Sequence, residues 1–569
     1  MPSASDNAFA ILTDPRVRGE PFSRIARALA ALSRAAARDE AQLLRLHDRL
    51  LFLLAYPTSR RLRRLCESVL RSIPERVRRL EAAGADMSAF DDPEVAGVAG
   101  TTITTDFSFD LARDLRRRHG RRIAIDWGGA DAWDRARATW PQFLPLLEEE
   151  ALADANVPYL DWLGAAAGSR SRDADWLLSR YEKLRLPGSD RAEHWDAMGV
   201  PISFDLRASR ASRTRMRLPG PPLFFHREPL LARRDVSLAE IFAAPPLPVR
   251  RLSRREGERI CGLVRDAAAA RYREFYTFTY ADPATVLSAR PGRGLEIFLM
   301  GVEPGRRLPL RSAYGGFFVK NGVPVGYIEG LAFCERLEIG FNVYYAFREG
   351  ESAWIYAQVL KLHRDALGVT SFSIDPYQLG FENAEAIDSG AFWFYRKLGF
   401  RPTDAGVAAR VEREERRMKE DPAYRSSKRT LESLVTHNLL YEVPGTAAGH
   451  WDRFHVRNIG LAVNRRMARE FGGDAEALRE ASERRVAAIL GLRPRGMSPL
   501  ERKAFAEYAP VLDAVPDLPR WTKAELRGVA EVLRARAGAS ERRYLRLFQR
   551  HDRLRRALIA LGSPRQSRG

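Results

Sequence analysis

The ten residues Ala391-Phe392-Trp393-Phe394-Tyr395-Arg396-Lys397-Leu398-Gly399-Phe400 decide how the middle of this chain is interpreted. Their spacing predicts a short helix over residues 390–398, with Asp388 or Ser389 as its N-cap and Gly399 as its C-cap. A strand, a helix and a buried strand are predicted before it, at residues 337–347, 353–367 and 369–374. This order requires a parallel crossover, which places a ligand site at the carboxyl ends of the strands, against a helix N-terminus.

The residues before this crossover predict a run of antiparallel strands. Asn321-Gly322 is typical of a two-residue hairpin turn. Ser253 and Glu256 fit a capping box that opens a helix to about residue 272. Strand patterns surround these features at residues 247–252, 295–302, 316–320 and 323–331. We therefore predict an α+β fold with one mixed sheet and flanking helices in the middle of the chain.

The length and the punctuation of the chain indicate several domains. A chain of 569 residues is too long for one hydrophobic core, and its length predicts about three or four domains. Prolines at 219, 221 and 222, and again at 245, 246 and 248, mark a domain border and predict a linker over residues 216–244. The predicted arrangement is a mostly helical region at 1–215, the linker, the mixed-sheet domain at 245–405 and a helical, charged region at 406–569.

The formal net charge of +20 has two interpretations. It could attract nucleic acid or a membrane surface. However, the arginines interleave with Asp and Glu, and the Arg- and Ala-rich composition is typical of a GC-rich, bacterial-like genome. We therefore expect no specific nucleic-acid partner, although one stays an alternative.

The cysteines, histidines and apolar runs exclude several classes of protein. The three cysteines are far apart, so we expect neither a disulfide framework nor a metal pair. The nine histidines form no cluster, and we expect no bound metal. The longest apolar run is too short to cross a bilayer, and the first residues lack the pattern of a secretory signal. A cytoplasmic protein without membrane insertion is the expectation.

The middle region resembles the GNAT acyltransferase superfamily. The order of elements is similar to that fold, and the segment 391–400 resembles the family's last helix, which ends in Tyr and then Gly-Phe. Residues 343–348, Val-Tyr-Tyr-Ala-Phe-Arg, resemble the end of its central strand, which leads into a pyrophosphate loop. The resemblance implies transfer of an acyl group from acetyl-CoA or another acyl-CoA to an amine, on a small molecule or a protein.

The resemblance also implies site residues. Tyr395 would protonate the departing thiolate, since a phenol with a pKa of about 10 suits a thiol of about 8.5. The remaining residues implied to contact the cofactor are Val343, Tyr345, Arg348, Gly350, Ser352, Ala353, Asn383 and Asp388. The loop departs from the family pattern in either alignment. Counted from Arg348, Ala353 matches but Glu351 stands where a glycine is usual; counted from Gly350, Phe347 replaces the basic residue and Ser352 the last small one. Glu351 therefore predicts an unfavourable charge near the phosphates unless its side chain points to solvent.

The base that accepts the amine proton is not fixed by the sequence. Glu338 lies on the central strand, on the face it shares with Gly340 and Asn342. Glu329 on the neighbouring strand is the alternative, and His363 is predicted to be a surface residue. No cysteine or serine lies in a nucleophile setting, so direct attack of the amine on the thioester is expected.

Two further functions stay open from the sequence. One is aminoacyl transfer on a related fold. The other is a degenerate acyltransferase domain that serves as a scaffold, with basic helical flanks that bind nucleic acid or protein.

Overall fold

The computed structural model describes residues 4–13, 22–32, 39–128, 139–153, 156–169, 172–186, 188–218, 223–446 and 449–563. Two mixed α/β regions and two helical regions make up this part of the chain, so the α+β class is confirmed. Prolines 219, 221 and 222, on which the linker prediction partly rests, lie outside the described residues.

The larger sheet has nine strands within the described residues, in the order β11-β12-β10-β9-β8-β7-β6-β5-β4. The strands are β4 Val249–Arg251, β5 Leu287–Gly292, β6 Leu295–Gly301, β7 Ser312–Lys320, β8 Val323–Phe333, β9 Arg336–Val343, β10 Ser371–Ile374, β11 Arg401–Pro402 and β12 Leu439–Glu442. β9 and β10 are parallel, as the crossover predicts, and the other neighbours are antiparallel. This mixed pairing confirms the predicted sheet type.

Two local signals in the sequence explain how the sheet is built. Asn321 and Gly322 both have positive φ, 49° and 77°, which is the conformation that a two-residue turn between β7 and β8 needs. The side chain of Ser253 accepts from the N–H of Glu256, while the Glu256 carboxylate accepts from the N–H of Ser253. This capping box starts the helix that follows β4.

A smaller sheet lies in the N-terminal half. It has three antiparallel strands in the order β1-β3-β2, with bounds β1 Thr102–Asp106, β2 Ile123–Ile125 and β3 Pro201–Asp205. β3 lies between β1 and β2 and completes the sheet, which adds strands to a region that the sequence predicts as mostly helical.

Helices form the rest of the described structure. Their bounds are α1 Ala4–Thr13, α2 Phe22–Leu32, α3 Glu40–Ala55, α4 Arg60–Arg71, α5 Ile73–Ala82, α6 Phe109–His119, α7 Leu147–Ala153, α8 Tyr159–Ala167, α9 Asp173–Lys183, α10 Gly188–Met198, α11 Leu238–Ala243, α12 Arg254–Ala269, α13 Tyr276–Thr279, α14 Ser352–Leu367, α15 Pro376–Leu379, α16 Ala384–Asp388, α17 Ala391–Arg396, α18 Ala405–Glu420, α19 Lys428–Leu434, α20 Val456–Phe471, α21 Ala475–Leu490, α22 Pro499–Asp513, α23 Lys523–Ala537, α24 Glu541–Arg550 and α25 Asp552–Gly562.

The two faces of the larger sheet have different covers. On one face, Phe341 contacts the Tyr356 ring of α14 at 4.8 Å, and Phe372 stacks on Phe242 of α11 at 5.9 Å. On the other face, Tyr327 contacts Phe278 of α13, and Phe333 contacts Phe548 of α24. We call these the α14 face and the α13 face. Between these helices, β9 is unpaired on the β10 side after Glu338.

The segment predicted as a linker contributes to the core. Leu238 and Phe242 are buried against the sheet, and Met216 and Leu218 are buried as well. The Leu218 N–H donates to the carbonyl of Gly322 at 2.8 Å. The described part of residues 216–244 is therefore tied to the mixed sheet along its length.

Candidate functional site

The central feature is a divergence of two parallel strands. β9 pairs with β10 only over Arg336–Glu338, opposite Ser371–Ser373. β9 then continues to Val343, whereas β10 ends at Ile374. At about 3.3 Å per residue, this leaves about 16 Å of β9 without a partner on that side. A gap through the sheet follows at the carboxyl ends of the strands.

A cavity of about 260 Å³, which we call the cleft cavity, occupies this gap. Phe341 and Val343 line it from the α14 face, and Asn342 lines it from the α13 face. Gln378 and Tyr395 complete the wall. The cleft cavity therefore lies along the unpaired edge of β9 and is lined by residues of both faces.

Tyr395 is fixed in the wall by neighbouring rings. It is only 4 % exposed, and its ring centroid lies 5.5 Å from Tyr356 and 5.8 Å from Phe400. Its hydroxyl has no hydrogen-bond partner among the described residues. Burial raises the pKa of the Tyr395 phenol, so that it stays protonated at neutral pH. The protonated side chain can therefore donate a hydrogen bond to a group in the cleft cavity.

The N-terminus of α14 presents backbone donors beside the cleft cavity. Ser352, Ala353 and Trp354 are the first three helical residues, and their N–H groups have no acceptor within the described chain. Ser352 lines the cleft cavity. Unpaired N–H groups and the positive end of the helix dipole favour an anion at this position.

The charge of Glu351 does not oppose this anion site. The sequence-based alternative, that Glu351 points to solvent, is wrong, because its side chain is fully buried. Its carboxylate accepts from Lys320 Nζ at 2.7 Å and from Arg293 Nε at 2.8 Å. Burial by itself would raise the pKa of Glu351, but these two cations hold it at about 2. One carboxylate between two cations leaves a net positive charge behind the helix N-terminus.

The N-terminal helical region supports the same loop. The Glu351 N–H donates to the Tyr56 hydroxyl at 3.3 Å, and Arg49 forms an ion pair with Glu349 at 2.9 Å. A Cβ atom at Gly350 would lie 2.4 Å from the Tyr56 hydroxyl. Glycine is therefore required at 350 by a close contact with the end of α3.

A larger cavity of about 850 Å³, the outer cavity, adjoins the cleft cavity. The two share Arg348, Ser352 and Phe394 in their linings. Three other cations line the outer cavity, and none of them has a carboxylate within ion-pair distance in the described structure: Arg233, Lys397 and Arg425. Burial, and then the charges of the two arginines, lower the pKa of Lys397. Glu415 opposes this shift only in part, so the excess of positive charge favours a polyanion at this site.

The structure brings most of the sequence-predicted cofactor residues to these two cavities. Val343 and Asn383 line the cleft cavity, and Gly350, Ala353 and Asp388 line the outer cavity. Arg348 and Ser352 line both.

Three details of this region differ from the sequence interpretation. Tyr345 is 58 % exposed in a 3-10 turn and lines neither cavity. Asp388 is the last residue of α16 and not an N-cap; Gly390, with a left-handed φ of 69°, precedes α17. Asn383 caps α16 by accepting from the N–H of Ala386 at 3.2 Å.

The two candidate carboxylates on the α13 face differ in environment. Glu338 lies where β9 and β10 are still paired, and Arg311 and Arg336 are each 3.6 Å from it. Glu329 lies opposite Gly340, two residues before Asn342 of the cleft cavity. It has no ion pair among the described residues and accepts one hydrogen bond, from Thr277 at 3.2 Å. Burial raises the pKa of Glu329, which brings it closer to neutral pH.

The prediction that His363 lies on the surface is wrong. His363 is fully buried within α14, and its Nδ1 lies 2.8 Å from the carbonyl oxygen of Val359. Burial lowers the pKa of His363 to about 4. The side chain is a neutral part of the core, because α14 is covered on nearly all sides. The prediction failed because the polar residues of α14 do not reveal this burial in the sequence.

Sequence reasoning missed several lining residues. Arg233 and Arg425 come from outside residues 245–405, so no local pattern could assign them to the cavity. Lys397 lies within the segment that carries the resemblance, and its position one turn after Trp393 could have indicated it. Gln378 follows β10 directly in the chain, which is where a ligand site is expected.

The described residues include no group of three or more His, Cys, Asp or Glu placed to hold a metal ion. In the same part of the chain, no helix is long and apolar enough to cross a membrane. No protein-family model, no curated protein and no solved structure matches this chain. The class that fold and site define is an α+β protein with a divergent mixed sheet, a cationic cavity and a buried phenol.

Proposed function

We propose that this protein is an acyl-CoA-dependent N-acyltransferase. The observation that carries the proposal is that the outer cavity, lined by cations without carboxylate partners, adjoins the cleft cavity, which is lined by a protonated phenol. The resemblance to the GNAT superfamily agrees with this arrangement.

Coenzyme A fits the chemistry of the two cavities. Its nucleotide end is rich in phosphate, and the outer cavity offers Arg233, Lys397 and Arg425 without carboxylate partners. Its pyrophosphate would accept from the N–H groups at the start of α14. Its thin arm suits the narrower cleft cavity, where the thioester would lie beside Tyr395. The acyl group is acetyl or another acyl group.

The residues around the cleft supply a balanced reaction. Glu329 would accept a proton from the ammonium or amine of the acceptor, which makes the nitrogen nucleophilic. The nitrogen lone pair attacks the thioester carbonyl carbon, a C–N bond forms, and the C–S bond breaks. Tyr395 gives its proton to the leaving thiolate and regains one from solvent. Glu329 suits the role of base better than Glu338, because two arginines already neutralise Glu338.

The test is acetyl-CoA binding to the full chain by calorimetry, followed by acyl transfer to a mixture of amines. We expect binding that weakens about tenfold in Lys397→Ala, because one unpaired contact to phosphate is lost. Arg413→Ala is the control, since Arg413 is exposed on α18 and outside the outer cavity. Absence of binding to acetyl-CoA and to longer acyl-CoAs would contradict the proposal and favour a scaffold.

A further inference from the structure

A third cavity, of about 820 Å³, lies beside the cleft cavity on the far side of α15. We call it the polar cavity. Gln378 of α15 lines the cleft cavity, whereas Pro376 and Tyr377 of the same helix line the polar cavity. Asp375, the first residue after β10, also lines it. The polar cavity therefore begins at the point where β9 and β10 diverge.

A buried amide in its wall has an unused acceptor. Asn438 is 7 % exposed and lines the polar cavity. Its Nδ2 donates to the Ser373 hydroxyl at 3.0 Å, which fixes the side chain. Its Oδ1 has no hydrogen-bond partner among the described residues. This oxygen is open to solvent and can accept a hydrogen bond from a donor group on a ligand in the polar cavity.

Charges of both signs line the polar cavity without ion pairs. Asp375 and Asp404 accept hydrogen bonds from backbone N–H groups but have no cation within ion-pair distance in the described residues. Arg453 and Arg457 are exposed, and neither forms an ion pair in the described structure. Asp375 lies at the strand divergence, and the two arginines lie just before and within the first turn of α20. The two signs therefore come from different elements of the wall.

Two aromatic side chains complete the wall. Tyr377 is 55 % exposed and Phe381 is 44 % exposed, although both line the polar cavity. An apolar group on the ligand would bury both rings.

We propose that the polar cavity binds the acyl acceptor and that this acceptor is an α-amino acid with an aromatic or large apolar side chain. The proposal rests on the proposed acyltransferase function. The ammonium group lies toward Asp375 and the amide oxygen of Asn438, at the end next to the cleft. The carboxylate lies toward Arg453 and Arg457, and the side chain lies on Tyr377 and Phe381. This orientation points the nitrogen toward the thioester.

The test measures binding to the full chain by calorimetry without any acyl-CoA. The twenty common amino acids are titrated first. The tightest is then compared with two analogues, its decarboxylated amine and its deaminated acid. We expect an aromatic or large apolar amino acid to bind tightest and each analogue to bind at least tenfold more weakly, because each lacks one charge pair.

Two variants assign the ends of the ligand. Asp375→Asn keeps the capping oxygen of α15, and it should weaken the amino acid about tenfold while leaving the deaminated acid unchanged. The double variant Arg453→Ala and Arg457→Ala should weaken the amino acid and leave the decarboxylated amine unchanged. The matched control is Arg465→Ala with Arg469→Ala, two exposed arginines of α20 outside the polar cavity.

The outcomes separate this inference from the proposed function. Binding by none of the twenty amino acids, or equal binding of the zwitterion and both analogues, would overturn the inference even if acyl-CoA is turned over. Amino-acid binding with the expected variant effects would support it even if acyl-CoA does not bind, and would then count against the acyltransferase alone.

Discussion

The ion pairs of Glu351 with Lys320 and Arg293 predict how a substitution of Glu351 changes the stability of the protein. The resemblance would suggest that Glu351→Gly restores a phosphate-binding glycine and tightens acyl-CoA binding. The structure predicts the opposite, because Glu351 is the counter-charge of Lys320 and Arg293. Glu351→Gln keeps the shape of the side chain but removes the negative charge that lies 2.7 Å from the fully buried Lys320 ammonium.

The size of the effect follows from the pKa. The folded-state pKa of Glu351 is about 2, compared with 4.5 for a free glutamate. At about 1.36 kcal/mol per pKa unit, the charged form contributes about 3 kcal/mol to folding near neutral pH. Loss of one partner from a buried ion pair costs about 3–5 kcal/mol, which agrees. Because the folded pKa is lowered, this stabilisation is complete above about pH 4.5 and is lost as the pH falls through 2.

The assay is urea denaturation of the wild type and of Glu351→Gln at pH 7 and at pH 3. We expect the variant to lose about 3 kcal/mol at pH 7 and roughly half of that at pH 3, where unfolded glutamate is mostly protonated. Glu349→Gln is the control, since Glu349 is half exposed and its pair with Arg49 should contribute less than about 1 kcal/mol. Equal stability of Glu351→Gln and the wild type at pH 7, or the same loss at both pH values, would refute the reasoning.

Three other predictions concern the proposed reaction. Tyr395→Phe should lower turnover about 10²-fold and leave thermal stability nearly unchanged, because the hydroxyl has no partner in the described residues; full turnover would make Tyr395 a packing residue. Glu329→Gln should lower kcat about 10²-fold and remove the acidic limb of the pH–rate profile. Activity needs the ionised base, and the raised pKa of Glu329 sets the position of that limb. An unchanged limb would exclude Glu329 as the base. Tyr56→Phe removes the acceptor of the Glu351 N–H, so it should raise KM for acyl-CoA more than it lowers kcat; an unchanged KM would mean that α3 does not position the loop.

Local signals predicted the elements of the middle region well. The Asn321-Gly322 turn and the Ser253 capping box need only neighbouring residues, and both occur as predicted. The parallel crossover follows from the order of two strands and one helix. The turn and the capping box are local interactions, and the crossover follows from the order of the elements without knowledge of any particular side-chain contact.

Features that depend on distant residues could not be predicted. The position of Glu351 depends on Lys320 and Arg293, which precede it by 31 and 58 residues. His363 has the spacing of an exposed helix residue, but other elements cover α14 and bury it. β9 also ends at Val343 instead of Phe347, because Tyr345–Phe347 turn into the loop. In each case contacts with residues distant in sequence determine the burial of the side chain or the end of the strand, which the local sequence pattern does not specify.

The same long-range contacts explain how an acidic loop can still face an anion. A glutamate near a helix N-terminus would normally compete with phosphate for the dipole. Here the Glu351 side chain turns inward, where Lys320 and Arg293 exceed its charge, while its backbone N–H is used by Tyr56. The N–H groups of Ser352, Ala353 and Trp354 are then left for a ligand. The N-terminal helices and the sheet together therefore set the charge of this loop, and a fragment limited to residues 245–405 would lack Tyr56 and Arg49.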